Sequence, residues 1–163
     1  MSPIPAYEHP DRLRAIVGTY FRFLEEDAGF TQAESRYQPA HLTGHLLLTR
    51  RDVVIRICLH NDDLDLYIAP TVPDATFVKV NLLLLYFKHA MVDYAALANR
   101  PQAPEPSQDE IWRDWAGEIT SYLPRIIEFA QADRYDSRLA EQQRYETEVA
   151  AHLDSQRAMF GGT

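Results

Sequence analysis

A single cysteine, Cys58, occurs in 163 residues. No internal disulfide can form, so the fold rests on packing, as suits a reducing compartment. Long apolar runs are missing as well. The longest, Leu82 to Phe87, gives way to Lys88 and His89, well short of the about 18 residues that span a bilayer. The first residues, with Pro3 and Pro5, lack the hydrophobic segment of a secretory leader. Together these absences predict a cytoplasmic protein with no membrane association. Basic residues are scarce: 16 Lys and Arg stand against 24 Asp and Glu, a net charge of −8. That balance argues against non-specific binding to nucleic acid or anionic membrane, and leaves room for a basic protein partner. There is no glycine-rich phosphate loop, no nucleophile-elbow serine, no HExxH and no paired-carboxylate motif. Common enzyme classes lose their support, and no cofactor is expected.

What is present is a stretch of alternation. From Gly44 to Pro70 the chain reads GHLLLTRRDVVIRICLHNDDLDLYIAP. Apolar and polar residues alternate, with β-branched enrichment, which marks strands buried on one face. Asn61-Asp62 suits the positive φ of a tight turn. That turn would pair Leu59 with Leu64, Ile57 with Leu66 and Ile55 with Ile68. A second turn at Arg51-Asp52, which is not a preferred hairpin pair, would set Leu48 against Ile55 and Leu46 against Ile57. Both turns, chosen independently, put the apolar residues on the same face. Val53, Ile55, Ile57, Leu59, Leu64, Leu66 and Ile68 are therefore expected to be buried together.

Helical patterns flank the strands. Leu13, Ile16, Val17, Tyr20 and Leu24, widened by Phe21 and Phe23, predict a helix that opens near Pro10 and stops at Gly29, with Phe30 folding back. Glu34 to Gln38 reads as a short edge strand ended by Pro39. Phe77, Val78 and Val80 read as a further short strand or the start of a helix. From Asn81 the residues Leu82, Leu83, Leu85, Tyr86, Ala90, Met91, Tyr94 and Leu97 predict a well-buried helix. RPQAPEP breaks it. Ser107 with Glu110 forms a capping box for the next helix, whose inner face is Ile111, Trp112, Trp115, Ile119, Tyr122, Leu123, Ile126 and Ile127. Pro124 should kink it near Thr120. Asp133 can cap a last helix over residues 134–159, with a thin stripe of Tyr135, Leu139, Tyr145, Val149 and Leu153. That helix is open to two readings: a solvated flank of the domain, or a surface for a second copy or a partner. The whole predicts one α+β domain over 1–163: an antiparallel meander of three to five strands, an N-terminal helix and three C-terminal helices. Residues 1–9 form an extended lead-in and 160–163 a frayed tail.

The register also lines up chemistry. His45, Cys58 and Asp65 fall in a row on the polar face, with His60 and Asp63 as the next pair. A histidine beside a cysteine can deprotonate it, but here the acid neighbours the thiol and opposes ionisation. His45, Cys58, His60 and Asp65 are the donors of a conceivable metal site, yet a flat sheet face rarely converges four ligands and no zinc spacing is present. The Asn61, Asp62, Asp63 and Asp65 tip lacks the glycine and glutamate of a calcium loop. It reads instead as an exposed acidic knob able to meet a basic partner. Trp112 and Trp115, three apart, read as core packing, with Asp109, Glu110, Asp114 and Glu118 on the solvated side.

The segment Tyr20-Phe-Arg-Phe-Leu-Glu-Glu-Asp-Ala-Gly-Phe30, followed by a V-x-I-x-I meander and then helices, resembles small bacterial α+β proteins that include toxin-immunity proteins. The resemblance spans about residues 13–131. It implies a non-enzymatic protein that binds and neutralises, or escorts, another protein. No functional residue carries over from it. The small, acidic α+β character is also similar to secretion chaperones, which return to the sheet after a central helix where this chain continues in helices. An enzyme or metal protein using the His45–Cys58–Asp65 face, and an architectural subunit using the last helix, are the other readings.

Overall fold

Two turns of two residues organise the centre of the molecule. The computed structural model describes residues 11–61, 63–88 and 107–160. Strands β1 (Thr31–Gln38), β2 (Thr43–Arg50), β3 (Val53–His60), β4 (Asp63–Pro70) and β5 (Val78–Lys79) form one antiparallel sheet in the order β1-β2-β3-β4-β5. Leu48 stands opposite Ile55 and Leu46 opposite Ile57. Ile55 stands opposite Ile68, Ile57 opposite Leu66 and Leu59 opposite Leu64. All seven residues expected to be buried together are buried. Both turns have the predicted length, and Arg51 and Asn61 supply positive φ angles of 49° and 55°. Asp62 lies outside the described residues.

The helices are α1 (Arg12–Tyr20), α2 (Phe23–Glu26), α3 (Val80–Lys88), α4 (Gln108–Phe129) and α5 (Tyr135–Phe160). They cover the apolar face of the sheet, and α1 packs on both β2 and α4. Leu13, Ile16, Phe21, Leu24 and Phe30 from the N-terminal part meet Leu46, Leu48, Ile55, Ile57 and Leu66 in one core, continued by Leu83, Ile119 and Ile126. Each fully buried aliphatic side chain stabilises the fold by about 1.5–3 kcal/mol relative to exposure. Among the described residues, no helix is long and apolar enough to cross a membrane.

Several boundaries differ from the sequence reading. The single N-terminal helix is two. Asp11 caps α1, its side chain accepting from Arg14 N at 3.0 Å; Pro10 is outside the described residues. At Phe21 the ladder tightens, with Leu24 N donating to Phe21 O and Glu25 N to Arg22 O. The break turns both Phe21 and Leu24 into the core. Gly29, at φ 77°, closes α2, and Phe30 N returns to Leu24 O. Strand β1 starts at Thr31 rather than Glu34, with a register shift between Gln32 and Glu34. A mostly exposed edge strand has little apolar alternation to announce it.

The Val78–Lys79 strand and the helix after it both exist, the helix beginning at Val80. Within α3, Leu83 and Leu84 are buried while Leu85 is 38% exposed. Ala90, Met91, Tyr94, Leu97 and the RPQAPEP loop lie outside the described residues. The inner face of α4 is Trp112, Ala116, Ile119, Leu123, Ile126 and Phe129. Ile111, expected inside, is 43% exposed, because it stands one helical step off that stripe. The helix runs through Pro124 to Phe129. In α5 the buried stripe includes Gln142, a polar residue that sequence pattern alone assigns to solvent.

Candidate functional site

The open face of the sheet carries the row read from the sequence. His45 stands opposite Cys58 and Cys58 opposite Asp65. The row does not act as a unit. His45 Nε2 turns the other way, to Glu34 Oε1 of β1 at 3.5 Å, and the same oxygen takes Arg36 Nε at 2.9 Å. Asp65 pairs with Lys79 of β5 at 3.5 Å. Burial pushes the Cys58 thiol above its ordinary range, the Asp65 charge adds to that, and Arg56 opposes it without reversing it. The thiolate is therefore scarce at neutral pH, the opposite of what an activated nucleophile needs. Arg56 itself lies between two rings, 4.9 Å from the Tyr67 centroid and 4.4 Å from that of Phe77. His60 stands opposite Asp63 at the end of the hairpin. Among the described residues, no three His, Cys, Asp or Glu side chains are grouped to hold a metal ion. The four donors named from sequence are spread along a flat face rather than gathered at a point.

The acidic hairpin tip has a different setting. Asn61 is tied down, its carbonyl accepting from Arg12 Nη1 at 3.3 Å. Asp65 belongs to the open face, where Lys79 balances it. Asp63 instead borders a groove of about 530 Å³ between the start of β4, the start of α3 and the N-terminal half of α4. Its walls carry the carboxylates of Asp63, Asp114 and Glu118 and the amides of Asn81 and Gln108. Its floor is apolar: Leu64, Ile111, Trp112 and Trp115. The two tryptophans of the chain both line it.

This arrangement is anchored from behind. Ser107 Oγ accepts from Glu110 N at 3.2 Å and starts α4 at a fixed point. Tyr20 of α1 donates its hydroxyl to Asp109, and its ring meets Trp112 edge-on at 5.6 Å. Phe21 meets Trp115 in the same way at 5.7 Å. Burial, then the bond to the Asp109 carboxylate, push the Tyr20 hydroxyl up to about 12. The same bond holds Asp109 below its ordinary carboxylate range. Glu118 is paired with Lys88. Asp63 and Asp114, by contrast, have no counter-charge among the described residues.

An apolar floor with unbalanced carboxylates at its rim is suited to a long basic side chain. The aliphatic stem covers the rings and the charged head reaches the acids. The sequence carried part of this site. The tryptophan pair and its acidic neighbours were visible, but their meeting with Asp63 and Asn81 depends on how α3 and α4 dock beside the hairpin. No family model, no curated protein and no solved structure matches the chain.

Proposed function

We propose that this chain is a non-enzymatic binding protein, immunity-like in its mode of action, that neutralises or escorts a partner by holding a basic segment in the groove beside Asp63. The observation that carries the reading is the pair of unbalanced carboxylates, Asp63 and Asp114, brought from separate elements to the rim of an apolar floor. Helix α4, which lines the groove, carries Asp109, Glu110, Asp114, Glu118 and Glu128 against Arg113 and Arg125, so it is itself net negative. Charge of one sign at a groove rim steers an oppositely charged partner and is screened by salt. The raised thiol on the open sheet face weighs against the rival enzymatic reading.

Because both tryptophans line the groove, intrinsic fluorescence reports its occupancy directly. The test is a titration with a synthetic peptide of alternating lysine and leucine, beside a glutamate–leucine control. The expected result is a saturable change in emission with the basic peptide alone, lost in Asp63→Lys/Asp114→Lys and weakened in high salt. An equal response to both peptides, or none to either, refutes the reading.

A second reading, assembly through α5, has one observation in its favour. Met159 is 75% exposed, and Val149 and Leu153 border an apolar groove against Leu82 and Leu85 of α3. Solution mass measured with and without Val149→Glu/Leu153→Glu decides it; an unchanged monomeric mass in both removes it.

A further inference from the structure

A second groove, of about 520 Å³, opens where α2 and the end of β2 meet the C-terminal half of α4. Its floor is apolar, from Phe23, Leu123 and Ile127. Two opposite charges stand on its rim, Asp27 and Arg50. Neither pairs with the other, nor with any other described residue. Arg50 is half-buried, and its guanidinium has no counter-ion among the described residues. The groove also contains Thr120 and Pro124. Pro124 has no N–H to return to the Thr120 carbonyl, so the backbone offers an acceptor that an uninterrupted helix would have used.

A separated cation and anion, a helix carbonyl without its usual donor and an apolar floor are complementary to one class of small molecule. We propose that this groove binds a zwitterion with an apolar side chain, of the kind of free leucine, methionine or phenylalanine. The ligand carboxylate meets the Arg50 fork, where two parallel bonds are available. Its ammonium group meets Asp27 and the Thr120 carbonyl. Its side chain covers Leu123 and Ile127. The inference does not depend on the groove beside Asp63, which shares no lining residue with this one.

The test is calorimetric titration of the whole protein with L-leucine, L-leucinamide, N-acetyl-L-leucine and N-acetyl-L-leucinamide. The amide lacks the carboxylate and the acetyl compound lacks the ammonium. Leucine, or methionine or phenylalanine in its place, is expected to bind saturably, with the amide and the acetyl compound each at least about tenfold weaker. Arg50→Gln should erase the preference for leucine over leucinamide, and Asp27→Asn the preference over N-acetyl-leucine. Asp27 is exposed, so its variant keeps the fold and a circular dichroism spectrum checks it. Three results overturn the proposal: no saturable binding of any of the three amino acids at 10 mM (about a weak-site limit), equal binding of N-acetyl-leucinamide, which marks a site for a peptide side chain, or preferences unchanged in both variants.

Discussion

Gly44 is where a single methyl group should be felt most. It lies on the core side of β2, opposite Leu59. A Cβ placed there would stand 2.7 Å from the Arg36 carbonyl oxygen and 2.9 Å from Tyr37 Cδ2. Ordinary contact begins at 3.4 Å, so β1 would have to withdraw by about 0.7 Å at this point. The obstructing atom is backbone and cannot rotate away. Overpacking of this kind costs about 1–3 kcal/mol. The reduced freedom of the unfolded chain returns about 0.4–1 kcal/mol of that. Gly44→Ala should therefore destabilise by about 1–2 kcal/mol, since the two effects partly offset. Gly117 is the control. It lies exposed inside α4 with nothing within 4 Å of an added Cβ. Gly117→Ala should stabilise by about 0.5–1 kcal/mol. Urea denaturation followed by circular dichroism measures both. The Gly44→Ala midpoint should fall by about 0.5–1 M at unchanged slope, and that of Gly117→Ala should rise. A Gly44→Ala midpoint equal to or above the parent would mean that Tyr37 does not cross Gly44, and the β1–β2 register would have to be redrawn.

Three further outcomes follow from local features. Arg51 holds a left-handed φ of 49° at the first position of its turn, so Arg51→Gly should stabilise by up to about 1 kcal/mol in the same urea assay. Cys58 should react with iodoacetamide more slowly than a free cysteine at pH 8 and gain on it as pH rises, because its ionisation is displaced upward; labelling as fast as a low-pKa thiol would revive the enzymatic reading. Tyr135 donates its hydroxyl to the Thr76 carbonyl, and burial holds it protonated up to about 12. A folded-state pKa above the ordinary 10.0 stabilises the fold fully below pH 10, and that contribution is lost as pH rises through about 12. Stability should therefore decline between those values. Tyr135→Phe should lower stability at pH 7 by about 1 kcal/mol but make the alkaline decline shallower, with Tyr20 supplying the remainder.

The parts of the fold legible in the sequence are those governed by period two. The β2–β3–β4 register follows from alternation, and two turn positions constrained each other. The break between α1 and α2 was hidden because Tyr20, Phe21, Phe23 and Leu24 are apolar on every side, so no period marks where the ladder tightens. The first residues of β1 were hidden for the opposite reason: Thr31, Gln32 and Ala33 are all exposed, and an edge strand needs no apolar face. Gln142 was assigned to solvent by its chemistry and is buried by its place between Leu139 and Tyr145 on α5. Of the candidate site, the acidic side chains and the tryptophan pair could be read. What joins them is the docking of α3 and α4 beside the hairpin, and that is set by contacts between residues far apart in the chain.

The strand order of the sheet has a kinetic meaning. Each strand pairs with the one next to it in the chain, and the two central connections are turns of two residues. Forming a β-hairpin takes about 1–10 microseconds, so the meander can zip from its middle hairpin outward without a distant search. The helical cover is another matter: the Tyr20–Asp109 bond joins residues 89 apart and must wait for a long loop to close. The groove proposed for partner binding is thus completed after the meander, and the two tryptophans that line it report that later step.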